Sequence, residues 1–321
     1  MTEAGGNSLT PDVVLIAGPT ASGKSALGAA LAARLGGEIV NADSMQVYRE
    51  LRVLTARPND DEERLVPHHL YGHVSGGTLY STGQWLEDCL GAIADVRSRG
   101  RVPIILGGTG LYFQALTEGF VDMPPIPDDV RRAVRAEVAD MGPQAAHVQL
   151  RQVDPRWAAQ VNANDPQRIA RGLEVFRATG RALTDWHDDP VEPPLCGSAL
   201  RLVLAPERDW LYERINRRFD LMLEAGGLRE VETLLSCGFP DHLPVMKSLG
   251  VPELRSYLAG DMKLDEARLL AQTKSRQYAK RQMTWFRRRM IAWNMVSAQD
   301  LESQLIKIFS FIDDFGLTHR P

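Results

Sequence analysis

Short unbroken apolar runs alternate with stretches in which apolar residues recur every three or four positions. Val13-Val14-Leu15-Ile16-Ala17 is the first run, and with no polar member to face solvent it predicts a strand buried on both faces. After a glycine-rich break, Ala26, Leu27, Ala30, Leu31 and Leu35 recur at helical spacing, and Gly36-Gly37 stops that helix. Ile39-Val40 forms the core of a second strand. Trp85, Leu86, Cys89, Leu90, Ile93 and Val96 mark one face of a helix from Thr82 to Arg99, ended by Gly100. Val102-Pro103-Ile104-Ile105-Leu106 predicts a third buried strand. Doubly buried strands separated by amphipathic helices predict an α/β fold with a parallel sheet core flanked by helices.

The texture changes at Val121. Met123-Pro124-Pro125-Ile126-Pro127-Asp128 is a proline-rich break, and helical patterns follow without a strand until Leu200. Asp128 or Asp129 is placed to cap a helix bearing Val130, Val134 and Val138. Asp165-Pro166 opens another, with Ile169, Leu173 and Phe176 inward and Gly180 at its end. Residues 121–198 therefore read as an all-helical insertion, between 11–120 and 199–297 of the α/β core. Arg201 to Leu204 returns to strand, and Asp209 to Ala225 is helical. A last long helix runs from about Leu264 to Met290, and residues 298–321 form a tail, an amphipathic helix or a frayed end.

Composition narrows the picture. Net charge is −4, so a nucleic-acid site must be a local patch. Between Ala267 and Met290 lie eight basic residues and no acidic one, with Tyr278, Trp285 and Phe286 interleaved, a pattern suited to a phosphate backbone. Cys89, Cys196 and Cys237 are dispersed, with no C-x-x-C pair, which suggests neither zinc nor a disulfide framework and fits a reducing cytoplasm. His68-His69 has no third ligand at suitable spacing, so surface or hydrogen-bonding roles are expected rather than a metal site. Met1 to Pro11 is polar and reads as no leader, and no apolar run reaches the roughly 18 residues of a membrane span.

Gly18-Pro19-Thr20-Ala21-Ser22-Gly23-Lys24-Ser25 fits the phosphate-loop template G-x-x-x-x-G-K-[ST], with the strand before it and the helix after it that the motif requires. Backbone N–H groups and the positive helix end form an anion cradle; Lys24 adds a charge, and the Ser25 hydroxyl is placed to ligate Mg²⁺. Asp43 ends the second strand and should face the same crevice. The third strand ends in Gly107-Gly108-Thr109-Gly110, without the acid that a nucleotide hydrolase uses to hold Mg²⁺ and position water, which argues against a motor or switch NTPase.

The ordered set of these motifs resembles the bacterial tRNA dimethylallyltransferase family. It comprises the phosphate loop, Asn41-Ala42-Asp43-Ser44-Met45-Gln46-Val47-Tyr48, Gly107-Gly108-Thr109-Gly110-Leu111-Tyr112, Asn164-Asp165-Pro166-Gln167-Arg168 and Tyr278 to Phe286, spread over about residues 12–295. The zinc-finger extension of eukaryotic relatives has no counterpart. The resemblance implies a P-loop NTPase-like core and transfer of a dimethylallyl group from its diphosphate to N6 of adenosine 37 in tRNA. It implies Asp43 as general base, with Thr109 and Arg131 near the reacting centre. Gly18, Thr20, Ala21, Ser22, Gly23, Lys24, Ser25 and Arg218 would hold the diphosphate, with Mg²⁺ on Ser25. Asp43, Ser44, Met45, Gln46, Gln167, Arg168, Ile169, Ala170, Arg171 and Lys247 would contact tRNA, joined by Lys280 and Arg281 of the basic helix. The Lys247 turn departs from the arginine-rich version of some relatives. The implied partners are tRNA and dimethylallyl diphosphate, acting on a cytoplasmic monomer. The rivals are a small-molecule P-loop kinase, which would not need the basic helix, and a non-catalytic RNA-binding module, which would not need the phosphate loop.

Overall fold

The computed structural model describes residues 11–121, 123–297 and 299–318, of which 313–318 are described by backbone only. The stretch from Met1 and the last tail residues therefore lie outside the described residues. Six strands form one parallel sheet: β1 (Val13–Ala17), β2 (Gly37–Asn41), β3 (His68–His69), β4 (Val102–Gly107), β5 (Ala199–Leu204) and β6 (Asn294–Val296), in the order β3-β2-β4-β1-β5-β6. Val14 pairs with Ile104 on one side and Leu200 on the other, which puts β1 and its following loop at the centre.

Because side chains alternate across a strand, the apolar run of β1 splits between two cores. Val13, Leu15 and Ala17 join Val40, Ile105 and Val203 on one face, under Trp85 and Cys89 of helix Thr82–Ser98 and under Phe286 of helix Leu264–Arg289. Val14 and Ile16 join Ile39, Ile104, Leu106 and Leu202 on the other, under Leu27 and Leu31 of helix Lys24–Leu35. Ile308 and Ile312 of helix Leu301–Thr318 complete that second core, so the tail folds against the sheet. Each such side chain, fully buried, contributes about 1.5–3 kcal/mol.

The chain divides into two compact units, residues 1–117 with 194–321 and residues 118–193. The second unit is all-helical. Helices Asp128–Met141, Pro143–Val153, Pro155–Gln160 and Pro166–Thr179 enclose Val134, Val138, Leu150, Ile169 and Leu173. Asp165 caps the last of these, accepting from Arg168 N–H at 3.1 Å, as its place before Pro166 predicts. Asp128 and Asp129 lie inside the first turn of their helix, with Pro127 at the cap, so they favour the helix through its dipole. Two strands escape the sequence reading. β3 is two residues at the sheet edge, where His69 Nε2 lies 2.7 Å from Glu38 Oε2, a hydrogen-bonding histidine as expected. β6 is three residues, too short to show a period.

Candidate active site

The loop after β1 closes through backbone conformations that side chains resist: Gly23 has φ 96° and Ala21 φ 62°. Ala21 is held from outside, its carbonyl accepting from Arg214 Nε at 3.0 Å while Arg214 stacks on Trp210. Helix Lys24–Leu35 begins where the loop ends, so its first N–H groups face the cradle. Lys24 Nζ donates to Pro19 O at 2.7 Å across the loop. Burial pushes the Lys24 ammonium down to about 8, against the opposing pull of Asp43's negative charge. Ser22 Oγ is buried with no hydrogen-bond partner, an orphan hydroxyl inside the cradle, whereas Ser25 is exposed at its rim.

Asp43 is fixed by its own turn. Asn41 Oδ1 accepts from Asp43 N–H at 2.9 Å, and Asn41 Nδ2 donates to the Asp43 carbonyl at 3.0 Å. Asp43 Oδ1 accepts from Met45 N–H at 2.9 Å; among the described residues no group donates to Oδ2. The carboxylate is thus oriented through one oxygen and left with lone pairs on the other. Its charge is felt by Lys24 and by Arg218, whose guanidinium burial disfavours, and it raises Tyr71, Tyr112 and Tyr278 beyond the lift that burial gives each phenol. Lys24, Arg218 and Asp43 therefore share one electrostatic neighbourhood.

The β4 loop closes on the Asp43 turn. Thr109 N–H donates to Ala42 O at 3.1 Å, and Thr109 Oγ1 accepts from Ser44 N–H at 2.9 Å. This approach needs glycine: a Cβ on Gly107 would overlap the Ala42 carbonyl, and one on Gly108 would overlap Gln282 Nε2 and sit 3.2 Å from Asp43 Oδ2. Met45 and Gln46 continue the turn. Gln46 Nε2 donates to Thr55 O and Ala56 O, and Ser248 beside exposed Lys247 lies with its hydroxyl 3.2 Å from Met45 Sδ.

Helix Leu264–Arg289 packs through Ala267, Ala271, Ser275, Ala279, Gln282 and Phe286. Lys274 pairs with buried Glu253 at 2.6 Å and Arg268 with Asp220 at 3.2 Å. Lys280, Arg281, Arg287, Arg288 and Arg289 are exposed and make no ion pair among the described residues. Of the interleaved aromatics, Phe286 is core, while Tyr278 is half-buried beneath the Arg281 guanidinium. In the helical unit, Arg135 pairs with buried Glu174 at 2.9 Å and Arg171 lies 4.0 Å from the same carboxylate, while the charges of Arg131 and Arg135 both act on Arg171. Arg131 also pairs with Asp128 at 2.8 Å. Arg168 stacks on Trp157 with Gln167 exposed beside it. Ile169 and Ala170, expected among the tRNA contacts, are core residues of this unit, because they lie on the apolar face of their helix; their side chains have no surface to offer.

The IPP transferase family model matches residues 46–289, and the isopentenyl transferase model residues 11–68. This chain belongs to the IPP transferase family. It is 54% identical to the tRNA dimethylallyltransferase of Parvibaculum lavamentivorans, over 95% of this chain and 97% of that one. It is 50% identical to that of a Bradyrhizobium species, over 89% and 93%. The crystal structure of the tRNA isopentenylpyrophosphate transferase of Bacillus halodurans matches with a TM-score of 0.68 at 34% identity, covering 95% of this chain and 97% of that one. A eukaryotic dimethylallyltransferase acting on tRNA matches with a TM-score of 0.81 at 29% identity, covering 96% and 80%. The P-loop NTPase-like core expected from the motifs is thus the family's fold.

Within this family member, sequence reasoning missed the residues that hold the site still: Asn41, Arg214 and Gln282. Asn41 sits two residues before Asp43, the spacing at which an amide brackets a turn, and this signal was available. Arg214 and Gln282 act across 193 and 262 positions, and no local pattern marks them.

Proposed function

We propose that this chain transfers a dimethylallyl group from dimethylallyl diphosphate to N6 of adenosine 37 in tRNA, releasing diphosphate. The observation that carries the reading is the convergence of an anion cradle, two partly buried cations and an oriented carboxylate at one sheet edge, in a chain whose relatives are named for this reaction. The cradle N–H groups, the orphan Ser22 hydroxyl, Lys24 and Arg218 bind the diphosphate. As the allylic C1–O bond breaks, negative charge grows on the departing oxygens, and Lys24 and Arg218 stabilise it in the transition state. The adenine N6 lone pair forms the new bond to C1, and Asp43 Oδ2, free of donors, accepts the proton that N6 loses. Thr109 locks the turn that carries Asp43.

Mg²⁺ fits as a substrate-borne ion: Ser25 offers one exposed hydroxyl, and no cluster of three acidic, histidine or cysteine ligands exists among the described residues. Bound there with the diphosphate, it would neutralise part of the leaving charge. The exposed Lys280, Arg281 and Lys247, with Asp43 to Gln46, supply the first unit's tRNA surface. Gln167, Arg168, Arg171 and Arg131 supply the second's. No helix is long and apolar enough to cross a membrane among the described residues, and a cytoplasmic monomer suffices for the reaction. A small-molecule kinase is not favoured by the relatives.

The test is to incubate the protein with unmodified tRNA, Mg²⁺ and dimethylallyl diphosphate, then digest the tRNA and weigh its nucleosides. Dimethylallyl-adenosine is expected. Its absence, with phosphate transferred from ATP to a small acceptor, would overturn the reading.

A further inference from the structure

Gln282 is buried on the long helix, and its amide is used at both ends. Its Oε1 accepts from Thr20 N–H at 3.0 Å, and its Nε2 donates to Gly108 O at 2.8 Å. Thr20 belongs to the diphosphate cradle. Gly108 precedes Thr109, which grips the Asp43 turn, and a Cβ at Gly108 would already stand 3.2 Å from Asp43 Oδ2. One side chain therefore spans the donor half of the site and the acceptor half. An uncharged amide of this length does so, because one partner is a donor and the other an acceptor.

We infer that Gln282 is a positioning residue: it sets the distance between the diphosphate cradle and the carboxylate that receives the N6 proton. This inference rests on the proposed prenyl transfer. Each half-site has bonds of its own, the cradle through Lys24 and Arg214 and the Asp43 turn through Asn41 and Thr109. Loss of Gln282 thus leaves both binding surfaces formed and disturbs their alignment. A misplacement of about 1 Å between reacting groups can cost on the order of 10²-fold in rate.

Two variants test it. Gln282→Met keeps the volume and loses both hydrogen bonds. It should lower kcat by about 30- to 100-fold, with KM for dimethylallyl diphosphate and the calorimetric Kd for inorganic diphosphate within about threefold of wild type. Gln282→Glu keeps the acceptor for Thr20 and, when ionised, sets a second acceptor against Gly108 O. The introduced carboxyl would lie among Asp43 Oδ2, the Gly108 carbonyl and Tyr278, in a buried setting that raises its pKa. Its protonation restores a donor towards Gly108. The ratio of Gln282→Glu to wild-type kcat should therefore climb about tenfold from pH 8 to pH 6, division by wild type removing Asp43's own titration. A structural role alone predicts a flat ratio. That flat ratio, an unchanged kcat in Gln282→Met, or a loss confined to KM would each overturn the inference. Wild-type protein that forms no prenylated tRNA would overturn the functional reading and the inference together; normal wild-type turnover with an unaffected Gln282→Met would overturn the inference alone.

Discussion

Replacing Asp43 by asparagine isolates the proton transfer from everything else the residue does. The Asp43 Oδ1 bond to Met45 N–H, 2.9 Å long, survives as a bond to the amide oxygen. The turn held by Asn41 is untouched, since those contacts use the Asp43 backbone. What changes is the other position, where Oδ2 becomes an NH₂ group that faces the N6 amine donor to donor. A positioned general base is worth roughly 10²- to 10⁴-fold, or about 2.7–5.4 kcal/mol at 1.36 kcal/mol per decade. The lost carboxylate charge also removes the pull that keeps Lys24 and Arg218 protonated. The Lys24 value of about 8 holds with Asp43 ionised and falls in the variant, so the assay needs saturating dimethylallyl diphosphate, whose own negative charge holds the ammonium. Under single turnover with saturating dimethylallyl diphosphate, the Asp43→Asn rate should fall by about 10³-fold, while tRNA affinity by filter binding stays within about threefold. A rate within tenfold of wild type, or a defect rescued by more tRNA, would refute the assignment of the base.

Lys24 gives a proton signature. With its pKa near 8 when no ligand is present, it is largely neutral at pH 8.5, and an arriving diphosphate draws the proton back; calorimetry in buffers of different ionisation enthalpy should show proton uptake at pH 8.5 that Lys24→Met abolishes. The basic helix gives a salt signature: tRNA affinity should fall steeply with salt, and Lys280→Ala with Arg281→Ala should flatten the log–log slope by about 1.5. An unchanged slope would remove both residues from the interface. The tail helix gives a stability signature: Ile308 is fully buried beside Leu27 and Leu31, so Ile308→Ala should cost about 2–4 kcal/mol in denaturant unfolding. A loss under about 0.5 kcal/mol would mean that the helix does not dock.

The parts of this site that were legible in the sequence are those whose physics is local. An anion cradle must be one continuous loop, because consecutive N–H groups have to converge, and so Gly18 to Ser25 declared itself. Asp43 was legible because a parallel sheet sends its strand ends to one crevice. The strands of the sheet centre were legible because burial on both faces leaves an unbroken apolar run. β3 and β6 lie at the sheet edges, where two or three residues suffice and no pattern accumulates. Ile169 and Ala170 show the opposite case: a motif taken as a block includes two residues whose side chains are core, although the helical spacing of Ile169 with Leu173 already placed it inward.

The glycine end of β4 gains its meaning from the chemistry. A hydrolase needs an acid there to hold a water in line, but a prenyl transferase must keep water from the allylic carbon, since hydrolysis would waste the donor. Gly107 and Gly108 let the backbone close onto the Asp43 turn and leave no side chain to anchor a water. The charge of Asp43 also reaches Tyr71, Tyr112 and Tyr278, whose phenols burial and the carboxylate together hold in the neutral form. Neutral phenols compete poorly as nucleophiles, so in the proposed reaction Asp43 would receive the proton without a second charged oxygen beside the developing cation. The same reasoning explains why rigidity comes from Asn41, Arg214 and Gln282. Amide and guanidinium groups orient the loops by hydrogen bonds and add no anionic oxygen that the allyl group could alkylate.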